Sequence, residues 1–413
     1  MKVLAPFKCI FLLLVTLNFK FAAQISSIQL GGITTTINPI TTAVPFLLIS
    51  PDSKQGAMGD VGVATDPDVQ STHWNVSKLA FADRKMAFGL TATPWLRNLV
   101  PDIFLYYLSS YYKINKRQTI SSSLRYFTLG NIELTDAQGT RTGNFKPNEF
   151  ALDLGFAQQL SKSFGLGVSM RYINSSISRA YFNGSSGNAA NSVAVDLGGT
   201  YRPKTFSVNG KTMHLTSGFL FSNVGAKIKY SNDENFLPMN LRLGVGLKTE
   251  FDAYNALSVY FDVNKLLVPT PPVYKYKLDA SGKPTTEIEL DPSTGKRLIA
   301  SGKDPNVDVV TGLFQSFNDA PTGFREELQE LNLSFGTEYN YNNLLFVRGG
   351  YFYEPIQKGG RQFITLGFGT RLKVLHFDGS YLIPTSLNNP LQNTWRISLS
   401  FYFDEAGKES PEP

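Results

Sequence analysis

The sequence predicts an all-β protein: a membrane-spanning antiparallel β-barrel of about fourteen strands with an N-terminal plug segment. Three observations carry that expectation. From Arg84 to Phe403, apolar and polar residues alternate with period two in one stretch after another. The connections between these stretches alternate short and long, as tight periplasmic turns and extended outer loops do. Charged residues make up 17% of the chain and aromatics 13%, and no run long enough for a membrane helix follows the N-terminal stretch. A barrel wall needs such dilution, because each lipid-facing residue is followed by one facing the lumen.

Met1 to Ala23 reads as a signal peptide: Lys2 and Lys8 open it, Cys9 to Leu17 is apolar, and Ala22-Ala23 precedes the cut. Cys9 is the only cysteine, so the mature chain is expected to lack disulfides, thiolate chemistry and cysteine metal sites. Residues 24–83 are expected to form a periplasmic start, Gln24 to Asn38, and then a compact plug. Gly56, Gly59 and Gly62 recur every three residues there, and Pro45, Pro51 and Pro67 break any long element. This GxxGxxG spacing, without a βαβ unit around it, does not make a dinucleotide site.

The barrel spans 84–403. Phe150, Leu152, Leu154 and Phe156, for example, alternate with Glu149, Ala151, Asp153, Gly155 and Ala157. Strands are expected to start near Arg84, Asp102, Arg117, Glu149, Ser163, Ser192, Lys211, Pro238, Ala256, Glu327, Leu344, Arg361, Val374 and Asn393. Asn209-Gly210 is a strong hairpin turn on its own. In the last strand Trp395, Ile397, Leu399, Phe401 and Phe403 share one face. Arg396, Ser398, Phe401 and Phe403 resemble the terminal signal that outer-membrane barrels present to their insertion machinery. A polar periplasmic tail, 404–413, follows. The inward faces carry Arg125, Glu149, Asp153, Arg171, Asp196, Arg202, Glu338, Arg348, Arg371 and Arg396, expected to pair with one another or with the plug.

Leu266 to Glu326 is too long for a simple turn and is rich in proline and lysine. Pro271, Tyr274, Tyr276, Lys296, Arg297, Phe314 and Phe317 are its candidate partner contacts. The net charge of +6 suits acidic lipopolysaccharide and outer-membrane lipid, while no basic run suggests nucleic acid. His73, His214 and His376 are dispersed, and neither a GxSxG elbow nor a P-loop occurs. No catalytic residue, metal or cofactor is expected.

The stretch from Ile40 to Phe81, followed by TPWLRNLVPDIFLYYLSSYYK, resembles the PorV family, outer-membrane components of the type IX secretion system of Bacteroidetes. The glycine-rich part with Met58, Asp60, Trp74 and Asn75 also resembles the plug of FadL-type fatty-acid transporters. Those typically have Asn-Pro-Ala where this chain has Asn75-Val76-Ser77. The PorV resemblance implies a FadL-like barrel that handles proteins. Its expected partners are secreted proteins with type IX C-terminal domains, a large translocon barrel and a sortase-containing attachment complex. It implies binding, not catalysis. The alternative is a FadL-like channel for hydrophobic small molecules, which would need an apolar luminal pocket and a lateral gap.

Overall fold

The structure is a computed structural model and describes residues 37–136, 138–177, 189–230, 233–386 and 389–404. The expected signal peptide and residues 405–413 of the tail lie outside these. Fourteen strands close into one antiparallel ring. They are β1 (Met86–Pro94), β2 (Phe104–Asn115), β3 (Gln118–Thr128), β4 (Asn148–Gln159), β5 (Phe164–Ser175), β6 (Ala190–Tyr201) and β7 (Lys211–Gly225). The second half is β8 (Asn240–Glu250), β9 (Asn255–Leu266), β10 (Leu331–Tyr341), β11 (Leu345–Tyr353), β12 (Gln362–Leu372), β13 (Leu375–Pro384) and β14 (Thr394–Phe403). Each pairs with its sequence neighbours, and β1 closes on β14 with Leu90 opposite Leu399. Closure removes the free sheet edges that hydrocarbon does not tolerate.

Alternation sets the two faces of the wall. On β4, Leu152, Leu154 and Phe156 are exposed, whereas Ala151, Asp153 and Ala157 are buried. On β14, Ile397 and Phe401 face out, and Arg396, Ser398 and Ser400 face in. At the tight end, Asn209 and Gly210 have φ of 51° and 74°, the left-handed pair that matches strand twist in a two-residue hairpin.

Thirteen strands begin within two residues of the expected positions. The exception is β10, expected near Glu327 and found to start at Leu331. Glu326, Glu327 and Glu330 are drawn into buried ion pairs with Lys265 and Lys358, so this acidic stretch turns as a short helix and the extended wall begins after it.

Residues 43–82 run inside the ring and touch it on many sides. Ser53 meets Ser398 on β14, Gly59 meets Thr365 on β12, and Gly62 meets Asp262 on β9. Asn75 meets Thr200 on β6, and Leu79 meets Thr119 on β3. The wall is glycine where this segment presses hardest. A Cβ on Gly350 would lie 2.1 Å from the backbone of Met58 and Gly59, and one on Gly167 would lie 2.6 Å from Ser77 N.

The inner segment descends from the end with long connections to the end with short turns. Asn38 N donates to Gln357 O, and its side-chain amide donates to Pro271 O, all in long connections. Ala82 O accepts from Lys113 at the opposite end. Of the expected periplasmic start, Gln24 to Asn38, only Ile37 and Asn38 are among the described residues, and Asn38 bonds at the end with the long connections. A segment that threads the whole lumen has its two ends on opposite sides of the barrel.

Candidate partner-binding cap and the segment beneath it

Between β9 and β10 the chain does not form one irregular loop. It builds two small hairpins, Tyr276–Leu278 with Pro284–Ile288 and Val273–Tyr274 with Ile299–Ser301. Two helices follow, α1 (Val309–Gln315) and α2 (Phe324–Gln329). Asp308 caps α1 by accepting from Thr311 N at 3.0 Å. Gly312 packs against Phe236 and Pro269, and Val309 and Leu313 join the cluster of Phe236, Met239, Leu267 and Val268 at the rim. With that face held down, Val310, Phe314 and Phe317, spaced i, i+4 and i+7, project outward.

A buried ionic network fixes α2. Lys265 Nζ, at the end of β9, bonds Glu327 Oε2 at 3.1 Å and Glu330 Oε2 at 2.6 Å. Lys358 Nζ, from the β11–β12 connection, bonds Glu326 Oε1 at 2.7 Å and Glu330 Oε1 at 3.0 Å. Thr270 Oγ1 also donates to Glu330, and Asn38 Nδ2 donates to Glu326. Burial opposes charge on Glu326, but hydrogen bonds from Lys358, Thr322 and Asn38 outweigh it and hold the carboxyl down to about 2. Burial, reinforced by Glu330 and Glu327, pushes Asp319 up to about 6. Lys265 Nζ also lies 5.8 Å from the Phe317 ring, so one ammonium anchors both helices. Phe324 and Leu328, on the outer side of α2, are 77% and 52% exposed.

The candidate contacts from sequence fall into three groups. Phe314 and Phe317 stand exposed on and just after α1, and Tyr276, Lys296 and Arg297 are exposed on the hairpins. Tyr274 lies under the Arg297 guanidinium at 5.6 Å. Pro271 is half-buried, and its carbonyl accepts from Asn38 Nδ2 at 3.0 Å. Sequence reasoning missed Val310, Phe324, Leu328 and Ile356, all exposed at this end. The spacing of Val310, Phe314 and Phe317 behind Asp308, a capping residue type, was the available signal.

The residues expected in a plug all lie in the inner segment. Gly56 and Met58 are buried, and a Cβ on Gly59, at φ 66°, would lie 2.6 Å from the Tyr351 backbone. Trp74 donates from Nε1 to Asp52 Oδ2 at 2.6 Å. Asn75 Nδ2 reaches Val63 O, Gly199 O and Thr200 Oγ1, each at 3.2 Å, joining two parts of the segment to the wall.

Several of the inward charges are engaged as pairs, and others bond neutral groups. Arg171 bonds Asp153 at 2.5 Å and Asp196 at 2.9 Å and also reaches Asn223. Arg348 bonds Glu338 and Asp378, both at 2.6 Å. Arg125 donates to Leu47 O and His73 Nδ1, each at 2.8 Å, and Arg202 pairs with Asp66. Of the other histidines, His214 lies 3.3 Å from Glu250 and His376 stacks on Tyr402.

A family model described as type IX secretion system protein PorV matches residues 34–273, more than half of the chain. No curated protein sequence matches. Among solved structures, the chain is similar to the Pseudomonas putida toluene transporter TodX at 12% identity and a TM-score of 0.46, covering 86% of this chain and 99% of that one. It is similar to the Ralstonia pickettii toluene transporter TbuX at 14% and 0.43, covering 87% and 100%. A Pseudomonas aeruginosa FadL homologue matches at 10% and 0.43, covering 89% and 99%.

Proposed function

Because this chain belongs to the PorV family of type IX secretion system proteins, we propose that it captures and delivers secreted proteins at the outer membrane. In this reading it binds exported substrates through their C-terminal signal domains as they leave a large translocon barrel. It then carries them to a sortase-containing attachment complex at the surface. It performs no chemistry on them.

One observation carries the reading: the exposed apolar residues of α1 and α2 stand on a base of buried ion pairs. Phe317 is 48% exposed while Glu330, reached from its ring through the Lys265 ammonium, is 4% exposed. Apolar side chains held out from a rigid support lose little entropy when a protein covers them, which suits a recognition surface. The lumen supports the same reading. The inner segment is fastened to the wall at successive levels, and the inner face is charged, with Arg171 and Arg348 in ion pairs. Those charges favour work at the rim over a path for hydrophobic small molecules.

The test is co-purification from native membranes in mild detergent, comparing the wild type with a Phe314→Asp, Phe324→Asp double variant. Wild type should bring the translocon barrel and secreted proteins sharing a C-terminal domain. The variant, still folded by heat-modifiability, should lose the secreted proteins. Undiminished recovery with the variant would reject the α1–α2 surface as the grip.

A further inference from the structure

A cavity of about 50 Å³ lies under the cap, between the inner segment and the upper parts of β8–β14. A single water needs roughly 10–15 Å³ measured this way, so there is room for a few waters or one small ion. Its polar lining comes from Ser50 and Asp60 of the inner segment, from Asn332 and Arg361, and from four further wall residues, Asn240, Arg242, Asn264 and Arg396. The four wall residues are all at least nine-tenths buried. Yet Arg242 Nε, Arg396 Nε, Asn240 Oδ1 and Asn264 Oδ1, and on the inner segment Ser50 Oγ and Asp60 Oδ1, have no hydrogen-bond partner among the described residues. A buried donor on a charged group is costly to leave unmet, so several such atoms around one void indicate an occupant.

The chemistry of the lining selects its charge. Arg242 is held with its guanidinium 5.2 Å over the Trp74 ring. Arg396 is held by Gly56 O at 3.4 Å, and the missing side chain at Gly56 makes its room, since a Cβ there would lie 2.7 Å from the guanidinium. Against these two cations stands Asp60, whose Oδ1 is 4.0 Å from Arg396. The third arginine of the lining, Arg361, is committed to Glu354. Two guanidiniums and one carboxylate leave a net positive void. Oxygen and nitrogen of an unbonded asparagine amide are interchangeable by a flip, so Asn240 and Asn264 can each turn an NH₂ inward. Water would meet the hydrogen bonds but not the charge.

We propose that this cavity is a binding site for a small monoanion, no larger than a simple carboxylate, bridging Arg242 and Arg396 across the inner segment. Bound there, the anion together with Asp60 balances the two wall cations and fastens the wall to residues around Asp60 and Trp74. The site is independent of what the outer cap binds.

The direct test is anomalous scattering from crystals of the full-length protein soaked in bromide. The expected result is a peak in the cavity within hydrogen-bonding distance of Arg242 Nε; a cavity holding only water would overturn the proposal. In solution, acetate or bromide should raise the melting temperature of the detergent-solubilised protein by a few degrees and saturably. Ionic strength is held with gluconate, which is too large for the void. Arg242→Gln should abolish the saturable part, and an equal response in that variant would also overturn the proposal. If Arg242→Gln does not fold, the bromide map of the unmutated protein decides.

Discussion

Asn38 donates its side-chain amide to Glu326 Oε1 at 3.1 Å, fastening the upper end of the inner segment to helix α2 of the longest connection. The segment that runs inside the ring and the long β9–β10 connection are thus bonded to each other. The consequences can be measured separately.

The end of the barrel that carries Asn38 is testable by labelling. Ile37 is 70% exposed beside the long connections, and Lys116 is exposed in the tight β2–β3 turn. Ile37→Cys should react with a membrane-impermeant maleimide on intact cells. Lys116→Cys should react only after the outer membrane is opened. The reverse pattern would invert the barrel.

Glu330 is the hub of the cap, bonded to Lys265, Thr270 and Lys358. Glu330→Ala leaves two buried ammonium groups short of a partner, which costs about 3–5 kcal/mol in comparable buried pairs. The cap should open locally while the barrel stays folded. Trypsin cleavage at exposed Lys296 and Arg297 should accelerate at least tenfold, and unchanged cleavage would show that the network does not hold the loop.

The cap should also respond to pH. Glu326 titrates at about 2 in the folded protein against 4.5 ordinarily. Its stabilising contribution is complete above 4.5 and lost as pH falls toward 2. Asp319 is raised from 3.8 to about 6, so its contribution is complete below 3.8 and is lost as pH rises through 6. Hydrogen exchange over 267–330 should therefore quicken at acid pH beyond the intrinsic trend. A second loosening near pH 6 should disappear in Asp319→Asn.

Gly350 allows the inner segment to lie on the wall, because a Cβ there would overlap the Met58 and Gly59 backbone. Gly350→Val should displace that stretch. The variant should conduct ions in planar bilayers where wild type is silent. Equal conductance in both would mean that the segment does not seal the lumen.

The wall was legible because lipid on one side and a packed lumen on the other impose period two, which Leu152, Leu154 and Phe156 against Ala151, Asp153 and Ala157 display directly. Nothing comparable marks the inner segment. Its contacts, such as Gly62 N and Val63 N on Asp262 Oδ2, join residues about two hundred positions apart and leave no local period. The cap was partly hidden for a related reason. Glu327 looks like the start of a strand until wall pairing brings Lys265 beside it and Lys358 beside Glu326 and Glu330. The direction of the inner segment was unreadable, since glycines and turns fit either course through a barrel.

The central claim is that this protein works at its outer rim while the lumen stays filled. Ser53 of the inner segment and Ser398 of β14 place their hydroxyl oxygens 3.1 Å apart, close enough for a disulfide after substitution. The only cysteine of the sequence, Cys9, lies in the expected signal peptide. The measurement is secretion of type IX substrates by cells carrying Ser53→Cys and Ser398→Cys, with the cross-link formed by oxidant and verified by gel mobility. The account predicts secretion at the wild-type level with the segment locked. Secretion that stops on oxidation and returns on reduction would mean that the inner segment must move, and the account would be wrong.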